Sequence, residues 1–108
     1  MPRINTNKAH ELIAELKPFT SNGSLSANWQ NGDYVVLSYG TAIAVISPDD
    51  QKVIMNSARY SVTTSRHQGE ARQGVAALVA RTGYDIENIA TPAAFRSMTG
   101  HYASDRVI

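Results

Sequence analysis

The stretch Tyr60–Gln68, YSVTTSRHQ, brings a tyrosine, four serine and threonine hydroxyls, an arginine and a histidine into nine residues. Three chemistries could use such a set. His67 and Tyr60 are the types that move protons as general acid and base. A serine beside His67, either Ser61 or Ser65, is the type that attacks a carbonyl. Free backbone N–H groups at a helix start, with Thr63, Thr64 and Arg66 around them, are the groups that hold an anion.

The first two are weakened by context. Ser65 with Gln68 three residues later has the spacing of a capping box, which commits the serine hydroxyl to the backbone and makes Ser65 the expected N-cap of a helix. No nucleophile elbow and no orienting acid lie near it. The wheel places His67 within about 40° of Ala71, toward the core, where a hydrogen-bonded histidine is the ordinary outcome. His10, His67 and His101 show no ligand spacing such as His-x₃-His, and the chain has no cysteine, so no metal, cofactor or disulfide is expected. The expectation is a non-enzymatic protein.

A chain of 108 residues, 43% hydrophobic and 18% charged, fits a single domain with an ordinary core. No apolar run approaches the ~18 residues of a membrane span, and the polar start MPRINTNK has no signal-like segment, so a cytoplasmic protein without a membrane partner is expected. The net charge of +1 is unevenly spread. Residues 51–84 carry Lys52, Arg59, Arg66, Arg72 and Arg81 against Glu70 alone, while both flanking segments are slightly acidic. A basic centre suits an acidic partner, or the solvated face of a helix.

The elements that must position these residues follow from periodicity and turn chemistry. Ala9, Leu12, Ile13 and Leu16 fall on one helical face, and Pro18 ends the pattern, which predicts an N-terminal helix over Lys8–Lys17. From Ser24 the period becomes two. Asn31-Gly32 reads as a type I′ hairpin turn, Gly40-Thr41 as a type II′ turn, and Pro48 as part of a third turn leading to the strand KVIMN. The expected fold is α+β: an antiparallel meander of four short strands, or five if ARYSVTT is extended, flanked by the N-terminal helix and a second helix after the sheet. That second helix has the apolar stripe Ala71, Val75, Leu78 and Val79 and stops at Gly83. Gly74 borders the stripe and suits close helix–sheet packing. Gly69 lies on the exposed side, where close approach by a ligand or partner would explain it. Thr91, Pro92 and Gly100 punctuate a short helix over about 92–98, docked by Phe95 and Met98. Residues 101–108 are expected to fray.

Two-residue loops set the register, pairing Trp29 with Tyr34, Ala27 with Val36, and Val36 with Val45. One face then carries Leu25, Ala27, Trp29, Val36, Ile43 and Val45, with Trp29 buried. The other carries Val35, Leu37, Tyr39 and Ile46, too apolar to stay wet, and calls for cover by a helix, the tail or another subunit.

The runs NGSLSANW and YVVLSYGTAIAVI, followed by YSVTTSRHQ and an alanine-rich helix, resemble an uncharacterised family of small proteins of tailed phages, bacteria and archaea. The similarity spans about residues 19–81. Its most specific parts are Ser38, Tyr39, Gly40, Thr41 and Ile43 in the hairpin, and Tyr60, Ser61, Thr63, Thr64, Ser65, Arg66, His67 and Gln68 at the junction. The resemblance implies a phage or mobile-element origin and no activity.

Two functions are expected from these residues. In the first, the protein binds a host or phage protein, or itself, through Val35, Leu37, Tyr39 and Ile46. In the alternative, nucleic acid or phosphate binds at the basic helix start, through Arg59, Tyr60, Thr63, Thr64, Ser65, Arg66, His67 and Arg72. The apolar strand face favours the first.

Overall fold

The computed structural model describes residues 3–108; Met1 and Pro2, the first residues of the polar opening segment, lie outside them. In chain order the elements are β1 (Arg3–Ile4), a 3₁₀ turn (Thr6–Lys8), α1 (Ala9–Ala14), β2 (Phe19–Ser21), β3 (Leu25–Gln30), β4 (Asp33–Ser38), β5 (Thr41–Ser47), β6 (Lys52–Asn56), α2 (Val62–Thr82), β7 (Asp85–Ile89) and α3 (Pro92–Thr99). The seven strands form one sheet in sequence order. β2 to β6 are an antiparallel meander, but β1 pairs parallel with β2, and β7 pairs parallel with β6.

The expected four- or five-stranded antiparallel meander is therefore corrected to a seven-stranded mixed sheet. Each parallel edge is closed by a helix, α1 between β1 and β2 and α2 between β6 and β7, because parallel neighbours need a crossover that returns the chain to the same end. The added strands are short or polar. β1 has two residues, β2 reads as a turn (FTS), and β7 (DIENI) is mostly exposed with no apolar alternation. The segment ARYSVTT is not a strand; α2 begins inside it, at Val62.

The first hairpin turns at Asn31 (φ 52°) and Gly32 (φ 85°), and Trp29 faces Tyr34 as the turn chemistry requires. The second hairpin departs from expectation. Its two loop residues are Tyr39 (φ 53°) and Gly40 (φ 77°), one position earlier than Gly40-Thr41, and a bulge follows on β5, where Ile43 has no partner opposite the Val36–Leu37 step. Val36 consequently pairs with Ala44 instead of Val45. A bulge puts one extra residue on its strand and exchanges the faces beyond it. Ile43, Ala44 and Ile46 thus join the core beneath α1 and α2, whereas Val45 turns to the opposite side.

That opposite side is covered by the chain itself. Val35, Ala42 and Val45 pack with Phe95 of α3 and Ala103 of the tail, with Leu37, Ile54 and Ile89 at the margin. The tail expected to fray lies along the sheet: Ala42 N–H donates to Tyr102 O at 2.6 Å, and Ala103 is fully buried. Trp29, expected on the buried face, is 44% exposed. Tyr34 fills the core in its place and donates its hydroxyl to Lys17 O at 2.7 Å, leaving Trp29 edge-on against its ring.

The N-cap of α2 is Ser61, not Ser65. Ser61 is extended, and its Oγ accepts the Thr64 N–H at 3.3 Å. Starting the helix one turn earlier leaves Ser65 exposed in its first turn and frees Gln68 from the cap. Gly74 marks where α1 crosses α2: a Cβ there would stand 2.7 Å from Ile13 Cβ and 2.8 Å from His10 O. The close approach is helix to helix, not helix to sheet.

Two outcomes follow for stability. Ser61→Ala should lower the urea-denaturation free energy by about 1 kcal/mol, while Ser65→Ala changes it by less than about 0.5 kcal/mol. Gly74→Ala should cost about 1–3 kcal/mol, because α1 has to move away from α2 to admit the methyl group.

Candidate functional site

The junction residues converge at one end of the molecule, where the β4–β5 hairpin tip, the end of β6, the start of α2 and the C-terminal tail meet. His67, on the buried side of α2, places Nδ1 2.7 Å from Ser38 Oγ at the end of β4. Ser38 Oγ donates to Thr64 Oγ1 at 3.2 Å, and Thr64 Oγ1 donates to Ile108 O at 3.1 Å. Ile108 O also accepts the Ser61 N–H at 2.9 Å. With the proton on Nδ1 of His67, every hydroxyl in this chain has one donor and one acceptor role, and the line ends on Ile108 O.

A second line runs beside it. Gln68 Nε2 donates to Asn56 O at 2.8 Å and to Ala58 O at 3.1 Å, holding the turn that leaves β6. Asn56 Nδ2 donates to Ala42 O and to the Tyr60 hydroxyl, which itself donates to Ser104 O at 2.7 Å. Among the described residues, no side-chain nitrogen or oxygen closed off from solvent lacks a partner. This is the condition under which a buried polar network stabilises a unique arrangement.

Burial pushes the His67 pKa below its ordinary value, with the Glu70 carboxylate pulling weakly the other way, and burial is also the largest influence raising that of the Tyr60 hydroxyl. Ser38 and His67 stand at nucleophile–base distance, but Ser38 is fully buried and its hydroxyl is engaged with Thr64. A substrate carbonyl has no approach to that oxygen. The geometry is that of a structural tie between hairpin and helix.

The residues expected to bind an anion are thus divided. Thr64 and His67 are buried in the network and Tyr60 is half-buried, while Arg59, Thr63, Ser65, Arg66 and Arg72 are exposed. None of the three arginines makes a hydrogen bond or ion pair among the described residues. At the helix start Ser61 Oγ takes the Thr64 N–H and Ile108 O takes the Ser61 N–H, so two of the four amides an anion would use are engaged, and those of Val62 and Thr63 have no acceptor among the described residues. The four residues expected at a partner interface are divided as well: Val35 is buried under α3, Ile46 is buried on the α2 side, Leu37 is half-buried, and Tyr39 is 50% exposed.

Tyr39 lies over His67, their ring centroids 6.1 Å apart. Its positive φ is unusual for a bulky residue, since the first position of a type I′ turn favours Asn, Asp or Gly. Sequence reasoning missed Ser38 and Asn56 as parts of this site, and read Gln68 as a capping partner where it holds the turn after β6. Their signal was polarity at the ends of apolar strands and on the inner side of a helix.

The family model of unknown function DUF8033 matches residues 10–88. The chain belongs to that family. The match includes α1 and β7, beyond the segment of about 19–81 in which a resemblance was legible. No curated protein and no solved structure matches the chain. Among the described residues no helix is long and apolar enough to cross a membrane, and no group of histidine and carboxylate side chains could hold a metal ion.

The network carries a pH dependence of definite sign. Folding holds His67 neutral below its ordinary pKa near 6.5. The unfolded chain therefore takes up the proton more readily. The stability conferred by the neutral ring should be fully present above about pH 6.5 and be lost as pH falls through the lower folded value. Thermal melts recorded at descending pH should show this loss, and His67→Gln should reduce its slope.

Proposed function

We propose that the protein is a small non-enzymatic binding module that acts on another protein through the end of the molecule built around the start of α2. One observation carries the reading. Of the seven large hydrophobic side chains exposed among the described residues, Tyr39, Val62, Tyr102 and Val107 belong to this end. They are joined through the Tyr39–His67 contact and the hydrogen bonds of Ser61 to Ile108 and of Ala42 to Tyr102. Two exposed tyrosines and two exposed valines, with the exposed Arg59 and Arg66 in the chain segments on either side of Ser61, have the composition of an interface centre, where aromatic side chains and arginine dominate binding energy.

Tyr39 adds weight because local turn chemistry disfavours it at that position; holding an aromatic ring out on a rigid hairpin tip is a reason to keep it. The expected partner is a host or phage protein, or a second copy of the chain, met in the cytoplasm. The motif resemblance supports a phage or mobile-element accessory role.

The alternative, nucleic-acid or phosphate binding along Arg59, Arg66 and Arg72, has the basic segment in its favour. The engagement of the Ser61 and Thr64 amides at the helix start counts against it.

Salt dependence and one substitution separate the two. Tyr39→Asn suits a left-handed turn residue and should leave the melting temperature unchanged or higher, yet abolish capture of the partner in pull-downs that tolerate salt and nuclease. Nucleic-acid binding measured by fluorescence anisotropy, falling with a log–log slope of about −0.9 per phosphate and lost in Arg66→Ala but not in Tyr39→Asn, would decide for the alternative.

A further inference from the structure

Gly69 sits inside the 21-residue helix α2, where glycine is the poorest ordinary helix former after proline. Unlike Gly74, it has no packing reason: a Cβ built on it meets nothing within 4 Å. It opens instead into a groove of about 580 Å³ lined by Thr6, Asn7, Arg66, Gly69, Glu70 and Gln73, between the 3₁₀ turn and α2. That volume falls within the range of roughly 300–1,000 Å³ typical of ligand sites.

The polar groups around the groove differ in commitment. Glu70 is engaged: its Oε2 accepts from the His10 backbone N–H at 2.9 Å and lies 2.9 Å from His10 Nδ1. The Arg66 guanidinium and the side-chain amides of Asn7 and Gln73 make no hydrogen bond among the described residues. An unpaired guanidinium complements a carboxylate, which it can hold through two parallel hydrogen bonds. Side-chain amides, each with a donor and an acceptor, complement the N–H and C=O of an extended peptide, whose backbone groups are free, rather than those of a helix, which are satisfied internally. A glycine between them lets a backbone lie close against α2.

We propose that this groove binds an acidic peptide segment in extended form, with a carboxylate on Arg66, its backbone against Gly69, and Asn7 and Gln73 on its peptide groups. The proposal rests on the protein-binding reading in taking the ligand to be a polypeptide. It adds the ligand's charge and conformation, and a second contact along α2, where Val62, Arg66, Gly69 and Gln73 share one face at i, i+4, i+7 and i+11.

The test is a titration of the ¹⁵N-labelled full chain with a blocked peptide of alternating glycine and glutamate, followed by amide chemical shifts. The controls are the same peptide with glutamine for glutamate, and inorganic phosphate. The expected result is saturable shifts at Gly69, Gln73 and Asn7 with the glutamate peptide, a Kd raised at least about fivefold by Arg66→Gln and by Gly69→Ala, and a higher melting temperature in Gly69→Ala because the methyl group enters empty space. Tyr39→Asn should leave this Kd unchanged, so its effect on partner capture judges the earlier reading separately. Absence of shifts in the groove, equal binding of the glutamine peptide or of phosphate, an unchanged Kd in Gly69→Ala, or a lower melting temperature in that variant would each overturn the proposal.

Discussion

The hydrogen bond between Ser38 Oγ and His67 Nδ1 joins the two parts of the chain on which the rest of the site depends. Ser38 ends β4 and sets the tip of the β4–β5 hairpin; His67 belongs to the buried side of α2. A polar pair closed off from solvent is costly unless each member is fully satisfied. Here Thr64 and Ile108 O complete it, so the hairpin, the helix and the tail are constrained together. If any of the three were displaced, a buried donor or acceptor would be orphaned.

The same constraint explains why so many polar residues crowd one junction. Ser61 caps α2, Thr64 links hairpin to tail, His67 holds Ser38, Gln68 holds the turn after β6, and Tyr60 ties Asn56 to Ser104. Tyr60, Ser61, Thr64 and His67, which resembled catalytic or anion-binding groups, are consumed in building the end of the molecule, while Arg59, Thr63, Ser65, Arg66 and Arg72 stay exposed. Above the network Tyr39 stands half-exposed on the hairpin tip, its ring against His67. Rigid support beneath exposed aromatic side chains lowers the entropy lost on association.

The sheet depends on its two helical crossovers in a similar way. β1 and β7 have too few inward side chains to hold themselves in place, and each is carried to its edge by the helix that precedes or follows it. Gly74 lets α1 and α2 meet closely on one face, while α3 and the tail close the other. Val35 and Val45, on strands apolar on both sides, therefore find cover within the chain. Tyr39, Val62, Tyr102 and Val107 stay exposed at the end of the sheet, and Trp29, Ile86 and Met98 elsewhere.

What the sequence determined by itself was local. Asn31-Gly32 gave its hairpin a loop and a register because positive φ at two consecutive residues admits one turn type. Thr91, Pro92 and Gly100 bounded α3 for equally local reasons, with Thr91 Oγ1 accepting the Ala94 N–H and Gly100 left-handed. Only the tertiary structure decided that β7 is a strand, since DIENI has no pattern of its own and is ordered by pairing with β6. It also decided that Tyr39 takes a left-handed turn position and that a bulge follows, which exchanged the faces of Val45 and Ile46. Ser61 and Ser65 carry the same capping chemistry one turn apart, and nothing within the helix distinguishes them. The observed start goes with contacts to residues distant in sequence: Thr64 bonds Ser38 and Ile108, and Gln68 bonds Asn56 O.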